Sequence, residues 1–222
     1  MKLPFNIYRP VEAITVGIVS ATVLASPFFY RLFPDRVPTH WNASGAADGW
    51  SGPAFAAFFF PAIIVAIYLL MLVLPSADPQ KDRYREFSRP YQILRLATVS
   101  YMAAIYAVTS LIGLGFDIPI AKASMAGIGL LFLTIGNFMP KFRKNWFVGI
   151  RTPWTLSSET VWNRTHRVGG KLFTLGGLAA LLSMLLPPRP AFAVFTATVL
   201  GLTFGTIGYS WWVWRGRKGA DR

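Results

Sequence analysis

The chain has no cysteine, only two histidines, and nine acidic residues against 22 lysines and arginines in 222 residues. Without Cys it can form no disulfide, no thiolate metal site and no Cys nucleophile. His40 and His166 are expected on opposite faces of a membrane from the charges of their loops, so no His-rich metal site is expected within one chain, and no cofactor. Charged residues make up 14% of the chain, against roughly 25% in soluble domains. A formal net charge of +13 suggests nucleic acid in a soluble protein. No nucleic-acid-binding motif accompanies the charge here, so no direct nucleic-acid partner is expected.

What the chain has instead is apolar length. Hydrophobic residues make up 54% and fall in long runs, and runs of about 18 or more read as transmembrane helices. Six spans are predicted: Val11 to Phe33, Ala54 to Leu74, Tyr91 to Phe116, Ala123 to Met139, Leu172 to Leu186 and Ala191 to Trp214. The expected fold is an all-α membrane protein, a six-transmembrane-helix bundle whose first partner is the lipid bilayer. The fifth span is short and either borrows Gly169 and Gly170 or sits in thinned bilayer. Pro27 and Pro61 interrupt their spans, where they mark kinks. Ala193, Ala197, Gly201 and Gly205 put small residues on one face of the last span, for packing within the bundle or for a homo-oligomer seam.

Loop charge sets the expected orientation. The N-terminus holds two basic residues, the second-to-third loop five (counted through the first turn of its helix), the fourth-to-fifth loop seven and the C-terminal tail four. The other side holds four: Arg31, Arg36, Lys122 and Arg189. Both termini are therefore expected in the cytoplasm. Lys2 and Arg9, an apolar stretch and then Val23-Leu24-Ala25 before Ser26 also resemble a cleavable signal peptide. The apolar character continues through Pro27, Phe28, Phe29, Tyr30 and Leu32, so an uncleaved helix is expected.

Two loops carry pattern. Pro34 to Pro53 is rich in turn formers and holds His40, Trp41 and Trp50. Its tryptophans fit a membrane-edge aromatic belt, or a folded loop in which His40, Trp41 and Asn42 face a ligand. In the second loop, Ser157 or Ser158 caps a helix, Glu159 sits in its first turn, and Gly169 and Gly170 stop it. Glu159, Trp162 and His166 share a face. A short interfacial helix is expected there, with Trp162 and Val161 in the interface and the arginines toward headgroups, or a docking surface for a cytoplasmic partner.

Asn145-Trp146-Phe147-Val148-Gly149-Ile150-Arg151-Thr152-Pro153-Trp154-Thr155, then Trp162-Asn163-Arg164-Thr165-His166-Arg167, resembles the signature of the SdpI family. Pro38-Thr39-His40-Trp41-Asn42, with Gly45 and Asp48-Gly49-Trp50, resembles the uncharacterised membrane domain that often precedes it. The division this suggests is 1–90 for the N-terminal two-helix region and 91–222 for the SdpI-like region. The resemblance implies a multi-pass protein of the bacterial inner membrane. It implies immunity to a secreted killing-factor peptide, and signalling in which a transcriptional repressor is held at the membrane. Carried onto this chain, it places His40, Trp41, Asn42 and Trp50 on the peptide side. Arg151, Thr152, Trp154, Glu159, Trp162, Asn163 and His166 face the cytoplasmic partner. Two alternatives stand beside it. A small-solute or peptide transporter or channel is disfavoured because no helix centre holds Asp, Glu, Lys, Arg or His. An integral-membrane enzyme would have to use the lone Glu159–His166 pair, and no enzymatic activity is expected.

Overall fold

A computed structural model of the chain describes residues 3–220, excluding the side chains of 217–220. Lys2 and Arg222, and the side chains of Arg217 and Lys218, all used in the charge argument, therefore lie outside the described residues. Among the described residues seven α-helices form: α1 (Arg9–Leu32), α2 (Pro53–Val73), α3 (Ser88–Gly113), α4 (Ile120–Phe138), α5 (Pro153–Ser157), α6 (Glu159–Ser183) and α7 (Pro188–Ala220), with short 3-10 turns after α2, before α3 and after α4. A proline opens α2 in its first turn and another lies in the first turn of α1, where the missing N–H costs no helical bond. Pro27 and Pro61 lie inside α1 and α2 as expected.

Among the described residues, five helical stretches are long and apolar enough to cross a membrane: Arg9–Leu32, Pro53–Ala77, Lys81–Gly113, Ile120–Lys141 and Pro188–Gly216. They match five of the six expected spans. The fifth, Leu172 to Leu186, is not among them. That region belongs to α6, one continuous helix of 25 residues whose first half is polar. Only its residues 172–183 are apolar in the manner of a span, about 18 Å of helix against a hydrocarbon core of about 30 Å.

The continuity of α6 overturns the separate interfacial helix. Ser158 does cap the helix, accepting from the Val161 N–H, and Glu159 does sit in its first turn. Gly169 and Gly170, however, lie mid-helix and buried. The reason is packing. A Cβ on Gly170 would lie 2.8 Å from the Gly136 carbonyl oxygen of α4, and one on Gly177 would lie 2.8 Å from that of Gly129. The two glycine pairs bring the α4 and α6 backbones together, as small residues do between membrane helices. Local rules read a stop where the tertiary contact needed a missing side chain.

The all-α expectation also needs correction. Val37–Trp41 (β1) and Ala47–Ser51 (β2) form an antiparallel hairpin, pairing Val37 with Ser51 and Trp41 with Ala47. Gly45 closes its turn at φ +77°, a left-handed conformation that suits glycine. The hairpin sits over the start of α2 and the end of α3, where Val37 Cγ1 would touch a Cβ on Gly113 at 2.8 Å. At the far end lie the end of α2, the start of α3, the end of α4 and the start of α6. They meet around the buried aromatics Tyr84, Phe87, Tyr91, Phe142 and Trp162. His40 and His166 thus occupy opposite ends of the bundle. The small-residue strip of α7 does not pack within the bundle: Ala193, Ala197, Gly201 and Gly205 are all exposed, and a Cβ on Gly201 would meet nothing within 4 Å.

Candidate functional site

At the hairpin end the turn after β1 overhangs a groove of about 240 Å³ between α3, α4 and α7. Trp41, Tyr101, Met125, Ile128, Phe192 and Phe195 supply its apolar walls, and Ser124 a hydroxyl. Ile128 is eight residues into α4 and Phe195 seven into α7, so the groove reaches roughly 10–12 Å down the bundle. Arg189 donates to the Ser44 hydroxyl at 2.9 Å, tying the turn to the start of α7.

Of the four residues expected to face a ligand here, Trp41 lines the groove and Asn42 reaches it. The Asn42 side chain, however, is already committed: its Oδ1 accepts the backbone N–H groups of Ser44 and Ala46, an Asx turn that shapes the hairpin loop. His40 points out of the hairpin and pairs with Asp48. Trp50 is half exposed beneath the Arg36 guanidinium, 5.3 Å from the ring centre. Composition alone did not reveal Met125, Ile128, Phe192 or Phe195, because they read as ordinary span residues.

The opposite end is a pinned turn. Asn145 is fully buried and carries five hydrogen bonds. Its Nδ2 donates to the carbonyls of Arg143 and Val148, and its Oδ1 accepts the N–H groups of Phe147 and Val148 and the Tyr84 hydroxyl. Buried Asp78 accepts from Tyr84 and from the Trp146 N–H, which ties this turn to the α2–α3 connection. Gly149 stands at φ +115°, and a Cβ there would collide with His166 Nε2. His166 is fully buried. Its Nε2 accepts the Ile150 N–H at 3.0 Å and its Nδ1–H donates to the Trp162 carbonyl at 2.8 Å. A backbone N–H only donates and a carbonyl only accepts, so the ring is the neutral Nδ1–H tautomer. Trp162 stacks on it at 3.9 Å and donates to the Phe142 carbonyl.

These contacts revise the partner-facing set. Trp162, His166 and Thr152 are buried and hold the turn from within. Thr152 caps α5 through a capping box with Thr155 and shares a hydrogen bond with Ser210 of α7. Trp154 is half buried, its ring 6.3 Å from that of Trp214. Arg151, Glu159 and Asn163 remain exposed. The Glu159–His166 pair does not form an acid–base couple. Both imidazole nitrogens are engaged by backbone, and Arg83 grips Glu159 through both carboxylate oxygens at 3.1 Å, holding that carboxyl below the usual carboxylate range.

One cluster escaped the sequence altogether. Arg95 of α3 is fully buried and paired with Glu12 of α1, whose other oxygen accepts the Tyr68 hydroxyl of α2 at 2.6 Å. Phe5 and Tyr68 present their rings to the guanidinium. Arg95 lies seven residues into α3, about 10 Å from its start, so the pair sits toward the His166 end of the bundle and not at its midpoint. No spacing rule links positions 12, 68 and 95.

A bundle of long apolar helices, a folded hairpin over a groove at one end and a hydrogen-bonded basic platform at the other define a multi-pass membrane protein. Residues 141–210 match the SdpI/YfhL protein family, which contains the whole pinned turn. Residues 17–65, spanning the hairpin, match a domain of unknown function, DUF1648. The chain is 28% identical over 195 residues to "Immunity protein SdpI" of Bacillus subtilis (strain 168), covering 87% of this chain and 91% of that protein. Both matches bear out the resemblance to the SdpI family that the motifs indicated. No solved structure matches it.

Proposed function

We propose that this chain is a membrane immunity protein of the bacterial inner membrane that binds a membrane-active peptide in the groove under its hairpin. The groove carries the reading: an apolar, aromatic-walled cleft starting at a folded polar turn suits a peptide that arrives amphipathic and inserts. The name of the B. subtilis relative supports immunity as the role. The clustering of basic residues at the opposite end supports a hairpin that faces outward and termini in the cytoplasm. On the family resemblance, that basic end holds a cytoplasmic repressor through its exposed face at Asn163, Arg164 and Arg167. The name of the B. subtilis relative favours a non-enzymatic role, and the Glu159–His166 couple is not available for acid–base work because both His166 nitrogens are engaged by backbone.

The test is survival of a peptide-sensitive host expressing the chain. Ala121→Trp and Ile128→Trp fill the groove and should each cut protection at least tenfold at unchanged membrane level. Gly17→Ala, where a Cβ meets nothing within 4 Å, should protect fully. Full protection by both groove-filled variants overturns the site. Substrate-dependent flux in liposomes would move the assignment to a transporter.

A further inference from the structure

A second cavity, of about 340 Å³, opens at the basic end between the 149–152 turn, α6 and α7. Its walls are of two kinds. Phe173, Leu202, Thr203 and Ile207 line a largely apolar cleft along the two helices, and Arg151 and Thr152 stand at its polar end. We propose that this cleft is a binding site for one anionic glycerophospholipid, its phosphate on Arg151 and an acyl chain laid along the α6–α7 cleft.

Charge, anchorage and position argue for it. Arg151 is exposed and spends one N–H on the Trp146 carbonyl at 2.9 Å. A guanidinium has five N–H donors in a fork that fits phosphate, so most remain directed elsewhere. Among the described residues no carboxylate pairs with Arg151, whereas Arg83, Arg95 and Arg143 each have one. The rim is also built and not loose. The Ile150 N–H is fixed on His166, and the Thr152 hydroxyl on Ser210, so the segment carrying Arg151 is held from both helices beside the cleft. Finally, the cleft runs down helices that face hydrocarbon, while its polar rim lies where the polar half of α6 ends. A soluble anion would leave the apolar wall bare, whereas a phospholipid covers both parts. The inference goes beyond toxin binding. It rests on the proposed orientation only for the leaflet, the inner one, which is rich in anionic lipid.

Native mass spectrometry of the purified full-length protein in neutral detergent tests it, with phosphatidylglycerol and phosphatidylcholine offered separately. The wild type should retain one phosphatidylglycerol per chain and at least tenfold less phosphatidylcholine. Arg151→Gln removes the phosphate contact and Thr203→Trp fills the cleft while leaving Arg151 in place. Each should lower retention at least tenfold, with melting in lipid-free detergent within a few degrees of wild type for Thr203→Trp. Arg164→Gln, an exposed arginine on the far side of α6, should retain lipid normally. Equal retention by Thr203→Trp, or equal loss in Arg164→Gln, overturns the site. Displacement of the lipid by millimolar glycerol 3-phosphate would show that the headgroup alone binds, and would overturn the acyl-chain assignment.

Discussion

His166 shows at the residue scale what burial does to a titratable ring. It lies in the polar half of α6, and burial pushes it from 6.5 down to about 4. The unfolded chain takes up a proton near pH 6.5 that the folded ring refuses until about pH 4. This contribution to stability is therefore intact above about pH 7 and is lost as the pH falls from 6.5 toward 4. The melting temperature in detergent should be lower at pH 5 than at pH 7.5, and the gap should shrink in His166→Gln; an identical gap in both would show that other groups set it. Asn145 makes a different point. Asn145→Ala takes the acceptor from the part-buried Phe147 and Val148 N–H groups and leaves Tyr84 with Asp78 alone, at a cost of roughly 3 kcal/mol. Unfolding by titrated SDS should report the loss, and an unchanged midpoint would mean water replaces the side chain.

Elements are joined here by missing side chains and by one buried ion pair. A Cβ on Gly136 would collide with Thr174 and sit 2.7 Å from the Gly170 carbonyl oxygen. Gly136→Ala should therefore force α4 from α6 and destabilise by about 1–3 kcal/mol. Gly201→Ala adds the same methyl to an open face and should be neutral or stabilising by about 0.5–1 kcal/mol. Equal effects in the two variants would deny the close α4–α6 approach. The Glu12–Arg95 pair links α1 to α3. Arg95→Met leaves the Glu12 carboxylate with the Tyr68 hydroxyl but no counter-charge and should cost about 3–5 kcal/mol, while Glu12→Gln combined with Arg95→Met should recover much of it. Additive losses would mean that the two residues act separately.

For the whole molecule the arguable quantity is orientation. The chain has no Cys, so single introduced cysteines label without background. Ala43→Cys, in the exposed hairpin turn, should react with a membrane-impermeant maleimide in intact spheroplasts. Arg164→Cys, at the other end, should react only after lysis. Labelling of both from one side would break the alternation of the helices and the proposed placement of the groove.

The amino-acid sequence by itself determined the five helices long and apolar enough to cross a membrane to within a few residues, a serine cap at 157 or 158 and the separation of the two histidines. It also identified both family-related loops. These follow from hydropathy summed over long runs, from local capping chemistry and from motifs contiguous in the chain. Only the tertiary structure decided the fate of Gly169–Gly170, the inward turn of Trp162 and His166, the Asx role of Asn42 and the pairing of Glu12 with Arg95. Each depends on what another element, distant in sequence or folded back over the turn, brings to the same place. A glycine reads locally as a helix stop and a Trp–His face as an interface, until a second backbone arrives at van der Waals distance and turns both into core.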